Sequence, residues 1–129
     1  MALAFMFAAA YAKKDYAEVI EANWEIKLPA GCEVVYVKQS DPGINGENER
    51  YHVFNCASAE GMTELVQWYD GVVTDDASYR LLDVLGVKDE DYPQPDNYKK
   101  YVQTKEGGST LVLLYALESK LLYVLEDFY

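Results

Sequence analysis

Few side chains in this chain can do chemistry near neutral pH. His52 is its single histidine, and Cys32 and Cys56 are its only cysteines. One histidine and two thiols fall short of the usual four-ligand zinc site unless carboxylates join them. His52 sits between Tyr51 and Val53 in a run that alternates like a strand, where a histidine is more often structural than a general base. Nothing marks a Ser-His-Asp or Cys-His arrangement. Gly107-Gly108 lacks the Lys-Ser/Thr that a phosphate-cradling loop requires. Carboxylate pairs occur throughout a chain with 22 Asp and Glu residues, so they carry no information about glycosidase-type catalysis. The residue types predict no catalytic residue, no cofactor and no metal, in a protein that is not an enzyme.

Oxygen donors are abundant, and they gather in two loops. Asp41, Asn45, Glu47 and Glu49 lie close enough in sequence to suggest calcium, but their order does not follow the EF-hand loop. Turns use Asp, Asn and Gly so often that solvated turn residues are the favoured reading. The second loop, Lys88 to Asn97, holds Asp89, Glu90, Asp91 and Asp96 with Pro93 and Pro95, which predicts an exposed, extended and mobile segment. Asp41, Glu47, Glu49, Asp89, Glu90 and Asp91 are the candidate partner-binding residues. The formal net charge is −11. Such a surface repels nucleic acid phosphates and anionic lipid headgroups, and no basic-aromatic stripe offsets it. It suits solubility, or a basic protein partner. Twelve tyrosines fit half-buried sheet faces and wet protein interfaces alike.

The elements that must position these residues are organised around the C-terminal end. Thr110 to Leu117 is apolar at both alternating sets of positions, as befits a strand buried on both faces. Glu118-Ser119-Lys120 makes a corner, and Leu121 to Leu125 returns antiparallel. Tyr98 to Thr104 precedes them as a third strand of a meander. Upstream, Cys32 to Lys38 and Arg50 to Cys56 alternate and form a hairpin. Pairing them about Ile44 sets Val35 opposite Val53, Val37 opposite Tyr51, and Cys32 opposite Cys56. Cross-strand neighbours lie at disulfide-compatible distance. A Cys32–Cys56 disulfide argues for export, whereas two reduced thiols argue for the cytosol. Ser58 caps a helix carrying Met62, Leu65, Val66 and Tyr69 on one stripe, ended by Gly71. A second helix begins near Thr74-Asp75-Asp76, carries Leu81, Leu82 and Leu85, and stops at Gly86. The two are expected to cover one sheet face. The fold class is α+β: an antiparallel sheet of about five strands with an N-terminal helix and two short middle helices.

Residues 1–24 form that N-terminal helix and residues 25–129 the single α+β domain. Met1 to Ala12 is apolar except for the Tyr11 hydroxyl, and twelve helical residues cover only about 18 Å, short of a bilayer core. The stretch reads as the remnant of a signal or membrane anchor, with Ala10-Tyr11-Ala12 resembling a cleavage site. It reads equally as the apolar first half of a helix running to Trp24. An exposed helix of this kind predicts a membrane tether or self-association through residues 1–12.

The loop from Ser40 to Tyr51 resembles a glycine-and-acid loop in small uncharacterised proteins of Gram-positive bacteria, often lipoprotein-like or membrane-anchored. Gly43, Gly46, Glu49 and Tyr51 match. Leu28-Pro29 through Val34-Val35-Tyr36 is similar to the stretch preceding that loop, and Leu122-Tyr123-Val124-Leu125-Glu126 to the family's ending. Asn45 stands where those proteins tend to have histidine, and Asn48 where they have glycine. The resemblance implies an exported or anchored, extracytoplasmic origin and brings no activity with it. The resulting expectation is a non-catalytic protein-binding module. Its rival is a cytoplasmic acidic inhibitor, of the immunity-protein kind, that blocks a basic nucleic-acid-binding enzyme.

Overall fold

A computed structural model describes residues 16–40, 48–71, 76–94 and 96–128. Residues 16–24 are helical and are called α1. The chain continues through β1 (Cys32–Gln39), β2 (Asn48–Cys56), α2 (Ala59–Thr63), β3 (Tyr69–Gly71) and α3 (Asp76–Leu85). A 3-10 turn at Asp89–Asp91 leads into β4 (Tyr98–Thr104), β5 (Thr110–Ala116) and β6 (Leu121–Phe128). All strands pair antiparallel in one sheet of order β1-β2-β6-β5-β4-β3. The fold is α+β, with six strands where about five are expected. β5 and β6 occupy the middle, and their buried residues alternate to both sides, as a run apolar at every position requires.

Two cores result. On one face Leu111, Leu113, Leu122, Val124 and Phe54 pack under Ile20 and Trp24 of α1 and Met62 of α2. On the other, Leu114, Ala116, Tyr123 and Leu125 pack under Leu81, Leu82 and Leu85 of α3. The two middle helices therefore lie on opposite faces, not together on one. Their short length allows it, because α2 buries Met62 and α3 buries Leu81, Leu82 and Leu85, each a single patch that one face can cover.

The first middle helix is also shorter than its apolar stripe suggests. Ser58 caps it as expected, its hydroxyl accepting the Gly61 N–H at 3.3 Å. It ends at Thr63 because the Leu65 N–H and the Trp68 indole N–H both bond the Met62 carbonyl, the indole at 2.7 Å. Tyr69 then leaves the stripe and enters edge strand β3, where it is half exposed. This strand is the sixth. α3 ends in a Schellman motif: Val87 N–H reaches the Leu82 carbonyl and Gly86 N–H the Asp83 carbonyl, with Gly86 at φ +73°.

The first hairpin follows the expected pairing only in part. Cys32 faces Cys56 and Val34 faces Phe54, but a bulge then shifts the register, so that Tyr36 faces Val53 and Lys38 faces Tyr51. Val35, expected opposite Val53, is the extra residue and is 57% exposed. Val37 faces His52 instead of Tyr51. The loop after α3 differs as well. It contains a turn of 3-10 helix, and it is fastened at its far end: the Asp96 carboxylate accepts the N–H groups of Glu118 and Ser119 at the β5–β6 corner, at 3.0 and 3.1 Å. Leu117 N–H adds a bond to the Asn97 carbonyl. Met1 to Ala12 lies outside the described residues. Among the described residues, no helix is long and apolar enough to cross a membrane.

Candidate functional site

The bulge at Val35 decides where the site lies. Directly opposed residues on neighbouring strands share a face, and one extra residue exchanges the faces. Without it Tyr36 would face His52. With it, Tyr36 stands opposite Val53 on the α3 side, beside Tyr51 and Tyr123. The Tyr36 and Tyr51 rings meet edge-on with centroids 5.7 Å apart, and Tyr51 and Tyr123 stack at 6.4 Å. Tyr98 tilts against Tyr123 at 6.1 Å. Four of the tyrosines thus form one continuous aromatic surface.

The Asp89–Asp91 turn stands over this surface. Its backbone is held in place by side chains: the buried Tyr51 hydroxyl donates to the Asp91 carbonyl at 2.7 Å. The Gln94 amide brackets the carbonyls of Asp89, Glu90 and Tyr92. The Tyr98 hydroxyl donates to the Gln94 carbonyl, and the Tyr92 hydroxyl to the Asp83 carboxylate on α3. Between turn and sheet remains a hollow of about 190 Å³. Tyr36, Tyr92 and Tyr123 wall it, Val35, Val53 and Leu121 supply apolar surface, and Glu90 and Asp91 line its acidic side.

The phenols here hold their protons. Burial raises Tyr51, and the neighbouring tyrosines and Asp91 raise it further. Tyr98 and Tyr123 are raised by burial first. Burial and then the Asp91 charge raise Tyr36. The hydrogen bond to Asp83 pushes Tyr92 up to about 12. All five are therefore neutral donors with electron-rich ring faces at neutral pH.

Of the acids singled out from sequence, Glu90 and Asp91 line the hollow, and Asp89 is exposed on the same turn. Glu49 lies elsewhere, paired across β2 and β6 with Asp127 and bonded through its carboxylate to the Ser40 hydroxyl at 2.7 Å. It is roughly 13 Å along the strand from Val53. The two acidic sets do not converge here, and Asp41 and Glu47 lie outside the described residues. Cys32 and Cys56 lie at disulfide distance, with Cα atoms 4.2 Å apart.

A second polar group, not anticipated from sequence, lies on the opposite face beneath α1. The Trp24 indole N–H donates to Glu126 Oε2 at 2.8 Å, and Glu126 Oε1 is 3.4 Å from His52 Nδ1. Both His52 and Glu126 are 0% exposed. The Tyr16 ring covers the imidazole at 4.4 Å between centroids. Neither His52 nitrogen has a hydrogen-bond partner among the described residues, nor has Glu126 Oε1. Glu126 had a legible signal: it continues the inward parity of Leu122 and Val124, so an acid there is a buried acid. The tyrosine hollow had none, because it depends on a bulge. Among the described residues, no three His, Cys, Asp or Glu side chains converge to hold a metal ion.

No protein family model, characterised protein or solved structure matches this chain significantly.

Proposed function

We propose that this chain is a non-catalytic protein-binding module, exported or tethered by its N-terminus, that receives a basic partner at the Asp89–Asp91 turn. The observation that carries this reading is the way the turn is held: hydrogen bonds from Tyr51 and Gln94 to its carbonyls fix the backbone of a three-acid turn, two of whose acids line an aromatic hollow. Acids on a fixed backbone lose less backbone freedom on binding than acids on a loose loop would. Tyrosine adds contact area at little entropic cost. The Cys32–Cys56 pairing supports an oxidising compartment, in keeping with the resemblance to exported proteins.

The rival reading, an inhibitor of a basic nucleic-acid-binding enzyme, draws on the net charge of −11. It requires a cytosolic protein with both cysteines reduced, which the pairing disfavours. The test is crosslinking of the purified protein to its partner in the parent cell, followed by identification of the captured chain. Charge reversal of Asp89, Glu90 and Asp91 to Lys should abolish capture while leaving the folded state intact by circular dichroism. Undiminished capture would remove the reading. Capture confined to a cytosolic nuclease under reducing conditions would favour its rival.

A further inference from the structure

The hollow is more specific than a charged surface, and its chemistry limits what can enter. Tyrosines and aliphatic side chains line it, and its charge is supplied by Glu90 and Asp91. Aromatic faces attract cations through the ring quadrupole, most strongly where water is partly excluded. Val53 and Leu121 offer an apolar surface to a hydrocarbon stem. Glu90 and Asp91 each bring a carboxylate to the hollow, and either can pair with an ammonium or, through its two oxygens, with a guanidinium.

We propose that the hollow takes a basic side chain of the partner, lysine or arginine, its cationic head beside Tyr36, Tyr92, Glu90 and Asp91 and its hydrocarbon stem along Val53 and Leu121. This rests on the protein-binding reading above and names the group that the site recognises. Val35 stands at the site because the bulge makes it the extra residue of β1, and its exposure means that a larger side chain there can close the hollow without disturbing the core.

The test uses the full chain with its cysteines paired and a capped tetralysine peptide as probe, followed by NMR of labelled tyrosine rings. Saturable shifts of the Tyr36 and Tyr92 rings are expected, and Nε-acetylation of the peptide should abolish them. Val35→Met, which fills the hollow with an aliphatic side chain, and Tyr36→Leu, which removes one cation–π contact, should each weaken the peptide about tenfold. Glu60→Gln on α2 and Glu64→Gln at its C-cap, both exposed and across the sheet, should leave affinity unchanged. Binding that survives Nε-acetylation of the peptide overturns the assignment of a cationic occupant. Unchanged affinity in Val35→Met overturns the hollow itself. It does so even where charge reversal of the turn abolishes partner capture, so this inference and the protein-binding reading can fail separately.

Discussion

Replacing Trp24 by Phe tests how α1 is fastened to the sheet. The substitution keeps an aromatic ring in the core, where Trp24 packs with Ile20, Met62 and Leu113 and meets Phe128 at 5.8 Å. It removes one atom that matters, the indole N–H that donates to Glu126 Oε2 at 2.8 Å. Glu126 is wholly buried, and its other oxygen already lacks a hydrogen bond among the described residues. The variant therefore leaves a buried carboxyl whose one remaining polar contact among the described residues is His52. Orphaning a buried acceptor costs about 1–3 kcal/mol, towards the upper end where the group is ionised. We expect a loss of about 2–3 kcal/mol in urea denaturation, or roughly 3–5 °C in Tm for each kcal/mol in a chain of this size. Loss of ring area alone would predict less, and a double-mutant cycle separates the two. In a Glu126→Leu background there is no acceptor to orphan, so the same Trp24→Phe change should cost under about 1 kcal/mol. An equal cost in both backgrounds would refute the argument that this hydrogen bond, and not ring packing, joins helix to sheet.

Two further outcomes follow from the geometry. The Cys32–Cys56 link closes a separation of 24 residues, for which loss of chain entropy in the unfolded state predicts about 3.4 kcal/mol. Reduction, or the paired change to Ser, should lower the urea midpoint accordingly, and alkylation with mass analysis reports whether the bond was present. Asp96 supplies a pH dependence. Burial by itself would raise its carboxyl, but the N–H donors of Glu118, Ser119 and Asn97 outweigh it and hold the group below its ordinary value of 3.8. A depressed folded-state pKa contributes stability that is complete above the unfolded value and is lost as pH falls through the folded one. Urea midpoints should therefore drop on the acid side of 3.8, and Asp96→Ala should make that drop shallower. An unchanged acid limb would mean that the corner is not held by this carboxylate.

Much of the architecture was legible in the chain because it rests on local signals. The doubly apolar run at Thr110–Ala116, the corner after it and the return strand place themselves at the centre of a sheet. A strand buried on both faces must have strands on both sides and cover above and below. Ser58 and Gly86 announce helix ends through single-residue chemistry. Pairing about Ile44 sets Cys32 opposite Cys56 but misplaces the residues nearer the loop by one, because the bulge between Val34 and Tyr36 lies between the cysteines and the loop.

Tertiary structure decided which face each side chain meets. One extra residue at Val35 moves Tyr36 from the His52 side to the tyrosine surface, and no local preference of that run distinguishes the two registers. The end of α2 is set by an indole six residues away that bonds a carbonyl, so the apolar stripe through Tyr69 overstates the helix. Placement of α2 and α3 on opposite faces depends on which core each apolar stripe completes. Period and composition say that a segment has a face to bury. Only the simultaneous packing of distant segments says against what, because the free energy of burial belongs to the assembled surfaces and not to either one alone.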